Sequence, residues 1–149
     1  MAMQDIATKD GFDVQSQTNH LAHYLLTKEL FPLLEKRAEA VGEARVINHS
    51  SSARDTPGTP LTRKYFEKNG GNLGGDGERW ERYHQTKLAN MVFTFAMHDR
   101  CAKKGSKVKA LVAHPGLAST NLQVTTNKDG GMPSLGAKIL MMLSQSAED

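Results

Sequence analysis

Residues 44 to 52 read ARVINHSSS, an apolar and β-branched run that stops abruptly at three serines. This pattern is typical of a buried strand that leaves its sheet at the serines. Residues 107 to 116, KVKALVAHPG, contain a second apolar run that stops at His-Pro-Gly, and they predict a second buried strand. We expect a functional site at the carboxyl end of the first strand, where α/β proteins bind ligands.

Helical patterns alternate with the two strands. Apolar residues recur at steps of three or four from residue 14 to about 36, and Pro32 predicts a bend or an early end to that helix. Similar patterns predict helices from 81 to about 103 and from 133 to 145. Helices that alternate with short apolar strands predict a parallel sheet in an α/β layered fold. Two strands are few for such a sheet, so the chain reads like the middle of a larger domain.

Residues 53 to 79 are polar and rich in glycine and proline, which predicts an insertion or a flexible loop. Within them Gly71, Gly75 and Gly77 spell GxxxGxG, the spacing of a dinucleotide-binding turn. Such a turn follows a strand, and no apolar strand precedes these glycines. We therefore interpret them as part of the loop.

Composition excludes several classes of function. The 149 residues carry 19 basic and 16 acidic side chains, a formal charge of +3, which is too small an excess to indicate a nucleic-acid partner. Cys101 is the one cysteine, so no intrachain disulfide can form, and its place in an apolar pattern predicts packing. His20 and His23 lack further ligands nearby, so we predict no metal site. The sequence shows no signal peptide and no membrane span, which favours a cytoplasmic protein.

Two tyrosines are followed by a lysine four positions later, Tyr83 by Lys87 and Tyr24 by Lys28. A free phenol has a pKa near ~10, and an ammonium one helical turn away lowers that pKa, which suits proton transfer. Tyr24 lies inside the long apolar stripe, where we expect a core or interface aromatic. Tyr83 opens a helix after the serine-ended strand, so its hydroxyl can face the edge of the sheet. We therefore favour Tyr83 and Lys87 as the catalytic pair.

Four ordered blocks add a family resemblance: NHLAHYLLT at 19 to 27, RVINHSSSAR at 45 to 54, YHQTKLAN at 83 to 90 and VKALVAHPGLAST at 108 to 120. They resemble the short-chain dehydrogenase/reductase family, in particular its branch of retinol dehydrogenases and WW-domain oxidoreductases. The resemblance implies that residues 1 to 149 form the C-terminal part of a Rossmann-like, doubly wound parallel sheet. The predicted last helix resembles the mobile substrate lid of that family, although its methionine and leucine stripe equally fits a plain core.

The resemblance implies a catalytic set of four residues. Tyr83 would be the general acid/base, and Lys87 would bind the nicotinamide ribose and lower the pKa of the tyrosine. Ser51 would orient the substrate oxygen, with the serines on either side of it as alternatives. Asn19 would hold a helix bend and a water of the proton relay.

The implied cofactor is NAD or NADP, held in part by Tyr83 and Lys87. Pro115, Gly116 and Thr120 match the PGxxxT loop of the family, which lies beside the nicotinamide. The glycine-rich TGxxxGxG turn of the family has no counterpart after either predicted strand. We therefore expect a fragment without the nucleotide-binding half.

Two functions follow from these patterns. The first is an oxidoreductase that acts on a small alcohol or carbonyl substrate, lipophilic by resemblance to the branch, and that is inactive as an isolated fragment. The second is a non-enzymatic, truncated paralogue. Its helices at 14 to 36 and 81 to 103 would then bind a partner or form a homodimer.

Overall fold

The computed structural model describes residues 1–55 and 59–116, together with the positions 118–119, 126, 130–131 and 145–146. Thr120 lies outside the described residues, and so does the predicted helix at 133 to 145, apart from its last position. Gln145, at that position, begins a short strand. No structural statement is therefore made about the expected lid.

The elements alternate as the sequence predicts. In chain order they are α1 (Val14–Ser16), a π-helical turn (Gln17–Leu21), α2 (Ala22–Val41), β1 (Ala44–His49), 3-10 turns at Ser52–Asp55, Arg63–Phe66 and Gly75–Glu78, α3 (Arg79–Lys104), β2 (Val108–Ala113), β3 (Ala118–Ser119) and β4 (Gln145–Ser146). Strands β1 and β2 pair in parallel, from Ala44 opposite Val108 to His49 opposite Ala113. Strands β3 and β4 form a second parallel pair. The predicted parallel α/β arrangement is confirmed.

The first long helix does not end early at Pro32 and extends beyond its predicted end. It passes through Pro32 and ends at Val41, where Gly42 adopts a φ of 92°. Proline removes one backbone donor, but Leu34 and Ala38 beyond it pack into the core. Tertiary packing of that turn therefore outweighs the local preference to end the helix.

The core lies between the two long helices and one face of the sheet. Ala38 of α2, Met97 and Cys101 of α3, and Val108 and Ala110 of β2 form its buried centre. The predicted packing of Cys101 is confirmed. Residues at alternate positions of the strands point to the other face, where the described residues leave a cross-strand apolar pair, Ile47 opposite Leu111, exposed.

The described residues 59 to 78, before α3, pack against other parts of the chain. The side chains of Tyr65 and Leu73 are buried, and the Tyr65 hydroxyl donates a hydrogen bond to Glu78 Oε2 at 2.9 Å. The N–H of Gly70 donates to the carbonyl oxygen of Gly11 at 3.0 Å. The segment is held by contacts with distant residues, which local composition does not reveal.

Two buried charged residues bind the glycine-rich part of this segment. The Asp5 carboxylate accepts hydrogen bonds from the N–H groups of Leu73 and Gly75 at 2.6 and 2.9 Å. The Arg82 guanidinium donates to the carbonyl oxygens of the same two residues at 3.0 and 2.7 Å. Arg82 Nε also lies 3.3 Å from Asp13 Oδ2 in an ion pair that is almost fully buried. The glycine-rich turn therefore binds a carboxylate of its own chain.

Candidate active site

Tyr83 stands on the first turns of α3 with its side chain buried, 7% exposed. Burial raises the pKa of Tyr83, and an interaction with the nearby Ser51 side chain opposes that rise. Trp80, one turn earlier, packs edge-on against the tyrosine ring with the two ring centroids 5.8 Å apart. The apolar surroundings therefore favour the neutral phenol.

Lys87 lies one helical turn after Tyr83, with its Nζ 5.7 Å from the centre of the tyrosine ring. The same Nζ is 3.4 Å from the carbonyl oxygen of His49, a weak contact at that distance. Burial lowers the pKa of Lys87. The structure thus brings the predicted pair together, but the contact that lowers the pKa of the phenol comes from Ser51.

The three serines after β1 have different surroundings. Ser50 is fully buried and donates from Oγ to the carbonyl oxygen of Lys87 at 2.9 Å. Ser51 is half-buried and is the serine that contacts Tyr83. Ser52 is exposed and begins a 3-10 turn. Of the three serines, Ser51 is the one whose side chain affects the pKa of the tyrosine.

Asn19 lies within the π-helical turn. Its Nδ2 donates to Thr86 Oγ1 at 3.2 Å, and Thr86 Oγ1 donates to the carbonyl oxygen of Tyr83 at 2.8 Å. A π turn widens a helix locally and is frequent at functional sites. Asn19 is thus connected through Thr86 to the backbone of the candidate tyrosine.

The carboxyl ends of β1 and β2 meet at one edge, because the N–H of Ser50 donates to the carbonyl oxygen of Ala113 at 2.8 Å. Pro115 and Gly116 follow at that edge; both are exposed, and Gly116 has a φ of 70°. This positive φ fits glycine, since other residues rarely adopt it.

Basic side chains concentrate near this edge. Burial lowers the pKa of His49, and the charges of Lys87, His114 and His23 lower it further. The lowered pKa keeps the His49 imidazole in its neutral form near neutral pH.

The second Tyr-x-x-x-Lys pair lies elsewhere. The Tyr24 side chain is 46% exposed, and its ring packs against Phe93 with centroids 5.2 Å apart. Lys28 is near Glu29, 4.0 Å away, and both side chains are exposed. Neither residue has a described contact with the serines or the strand ends.

Proteins similar to this chain are named as dehydrogenases and oxidoreductases. Retinol dehydrogenase 13 of Homo sapiens is 36% identical over 121 residues, covering 77% of this chain and 31% of that protein. The chloroplastic short-chain dehydrogenase TIC 32 A of Brassica napus is 33% identical over 119 residues, covering 77% of this chain and 35% of that protein. The chain belongs to the short-chain dehydrogenase/reductase family. It spans about a third of the length of the curated relatives that it matches.

A solved structure agrees with this membership of the short-chain dehydrogenase/reductase family. The crystal structure of an uncharacterized protein from Mycobacterium paratuberculosis superimposes with a TM-score of 0.64 and 34% sequence identity. The match covers 97% of this chain and 47% of that one. No family model matches the sequence.

Two residues beside the site were not predicted. Trp80 desolvates Tyr83, and Asn90 donates hydrogen bonds to the carbonyl oxygens of Asn19 and His49, both at 3.0 Å. Helical spacing could have indicated both, because Trp80 is three positions before Tyr83 and Asn90 three positions after Lys87. Their partners on other elements were not predictable from spacing.

Proposed function

We propose that this short-chain dehydrogenase/reductase chain supplies the proton-transfer site of an oxidoreductase that interconverts an alcohol and a carbonyl compound. The observation that carries the proposal is the placement of Lys87 Nζ 5.7 Å from the centre of the Tyr83 ring, on one face of α3. Ser51, at the end of β1, lies near enough to the phenol to oppose the rise in its pKa. Two neighbouring hydroxyls at the edge where the parallel strands end can both reach the oxygen of one substrate.

Tyr83 moves the proton in this proposal. In the reducing direction its phenol donates a proton to the substrate carbonyl oxygen, which the Ser51 hydroxyl orients by a hydrogen bond, and in the oxidising direction the phenolate takes the proton back. Because burial raises its pKa, Tyr83 is protonated near neutral pH and acts first as the acid. The Lys87 ammonium stabilises the phenolate that remains after the transfer.

The cofactor would be NAD or NADP, which supplies or accepts the hydride. Lys87 and Tyr83 would hold its nicotinamide ribose, and Pro115, Gly116 and Thr120 would lie beside the nicotinamide. The exposure of Pro115 and Gly116 beside the strand ends and the positive φ of Gly116 support this placement.

The pyrophosphate of the cofactor does not fit the glycine-rich segment. The N–H groups of Leu73 and Gly75 already donate to the Asp5 carboxylate, so a phosphate would have to displace a buried internal anion. We therefore expect the 149 residues alone to bind the dinucleotide weakly and to show no turnover. Asn19 would contribute by holding the π turn beside α3 through Thr86.

The test uses a protein that joins these residues to a glycine-rich nucleotide-binding half. Tyr83→Phe removes the proton donor without removing the ring, so we expect kcat to fall by about 10² to 10⁴-fold. Tyr24→Phe is the matched control, since the same hydroxyl is removed from an identical sequence spacing. Turnover is followed by the absorbance of the reduced nicotinamide. Equal losses in the two variants would contradict the assignment.

The substrate is proposed as a small lipophilic alcohol or carbonyl compound, because several relatives are named retinol dehydrogenases. No described helix is long and apolar enough to cross a membrane. A cytoplasmic location stays a prediction, since relatives are named as chloroplastic or mitochondrial.

A second candidate function, partner binding or self-association through the helices, is favoured by the apolar side chains that α2 and α3 expose. Exposed examples include Leu25 and Leu33 of α2 and Val92 and Phe95 of α3. A groove of about 510 Å³ also runs between the two helices, with Tyr24 among its lining residues. Apolar exposure on this scale is typical of interaction surfaces.

A further inference from the structure

We propose that Asn90 is a positioning residue that fixes the carbonyl oxygen of His49, and through it the ammonium group of Lys87. The inference rests on the proposed function, because Lys87 matters as the partner of the proton-transferring tyrosine. Its geometric basis is that two donors from α3, Asn90 Nδ2 at 3.0 Å and Lys87 Nζ at 3.4 Å, point to this single oxygen at the end of β1.

Asn90 is held from several sides and has little freedom to move. Its side chain is 2% exposed, and Nδ2 also donates to the carbonyl oxygen of Asn19 at 3.0 Å. Its Oδ1 lies 2.9 Å from Nδ1 of His20, which therefore donates to it. Both amide protons and the amide oxygen thus have partners, on the π turn and on β1. A buried amide with all its donors used is rigid and costly to replace.

The ammonium group depends on this arrangement because its own contact is weak. The carbonyl of His49 is the one described acceptor of Lys87 Nζ, and the distance of 3.4 Å is long for a hydrogen bond. Asn90 makes the shorter bond and ties the same oxygen to α3 one helical turn from Lys87. Without Asn90, the end of β1 and the π turn each lose a buried donor, and the oxygen is free to move away from the ammonium.

Thr94 supplies a matched control. It lies one turn further along α3, is equally buried, and joins the same helix to β1 by accepting a hydrogen bond from Asn48 Nδ2 at 2.8 Å. Its hydroxyl also donates to the backbone carbonyl oxygen of Asn90 at 2.7 Å, but among the described residues it contacts neither the Asn90 side chain nor His49 or Lys87. Thr94→Val therefore removes a comparable buried polar contact without touching the carbonyl oxygen that Lys87 uses.

The experiment follows the side-chain NMR signal of Lys87 in the 149-residue chain, identified by its loss in Lys87→Arg. Asn90→Ala is expected to shift and broaden that signal and to move its titration midpoint, while Thr94→Val lowers the melting temperature and leaves the signal in place. Asn90→Leu serves if the alanine variant fails to fold, because it keeps a similar size, loses both amide donors and adds no charge beside Lys87.

Two results would overturn the inference: a Lys87 signal unchanged in a folded Asn90 variant, or one that changes equally in Thr94→Val. The readout needs no turnover. A failure of the Tyr83→Phe test would therefore refute the proposed reaction without altering the position of Lys87, and the two failures are distinguishable.

Discussion

Gly70→Ala should destabilise the protein, because an added Cβ atom has no room. At Gly70 it would lie 2.4 Å from the carbonyl carbon and oxygen of Phe12 and 2.6 Å from the backbone nitrogen of Asp13. These are backbone atoms, which cannot rotate away as the end of a side chain can. The two segments must separate by about 0.6 Å merely to reach 3.0 Å.

The cost follows from two terms. Forcing an extra methyl group into a packed site costs about 1–3 kcal/mol, and the hydrogen bond from Gly70 N–H to the carbonyl oxygen of Gly11, 3.0 Å long, loses part of its contribution of about 0.5–1.5 kcal/mol. We expect a total loss of about 2–4 kcal/mol in the free energy of unfolding. For a chain of this length that lowers the melting temperature by roughly 5–15 °C.

Thermal unfolding followed by circular dichroism measures this effect, with Gly77→Ala as the matched control. An added Cβ at Gly77 meets nothing within 4 Å, and the residue does not adopt a positive φ, so its melting temperature should stay near that of the unchanged chain. If the two variants have the same melting temperature, Gly70 does not pack closely against the backbone of residues 12 and 13.

Two further predictions concern the site and the helix faces. Lys87→Met should raise the melting temperature at neutral pH because it removes a buried charge. Burial lowers the pKa of Lys87 from its usual value of 10.5, so the unchanged chain gains stability as pH rises from that lowered pKa to the unfolded value. The advantage of the variant should therefore shrink across that pH window and be smallest above it; an advantage constant across pH would refute this origin. Phe95→Glu, on the exposed face of α3, should weaken self-association measured by sedimentation. Ile47→Glu, on the exposed face of the sheet, is the control and should leave self-association unchanged. If both variants sediment like the unchanged chain, the surface formed by α2 and α3 does not mediate self-association.

Local sequence patterns predicted the elements whose burial is visible in their own residues. The apolar runs of β1 and β2 and the 3.6-residue period of α3 indicate buried elements directly, and their parallel order follows from the helix between them. The serines after β1 could be placed at a sheet edge for the same reason. These inferences needed no knowledge of which distant residues come into contact.

The parts that could not be predicted depend on contacts between distant residues. The sequence indicated an insertion or a flexible loop here, yet the backbone N–H of Leu73 donates to Asp5, 68 positions away in sequence. The π turn at Gln17–Leu21 has no marker in local propensity, and its tie to Asn90 joins residues 71 positions apart. Local composition indicates the conformation that a segment prefers in isolation, whereas its conformation in the fold also depends on the residues that pack against it.

The pKa values of Tyr83 and Lys87 also could not be predicted from sequence spacing, although the two residues lie within one helical turn. The four-residue spacing of Tyr83 and Lys87 correctly places both side chains on one face of α3, and from it the lysine was expected to lower the pKa of the phenol. Burial acts in the opposite direction on both groups, raising the pKa of the tyrosine and lowering that of the lysine, because each charged form loses water. Spacing fixes the distance between two groups, while their exposure decides which protonation states they adopt. In this structure Ser51, at the end of β1, opposes the rise in the pKa of the tyrosine, the direction of effect expected from the lysine, but burial outweighs it.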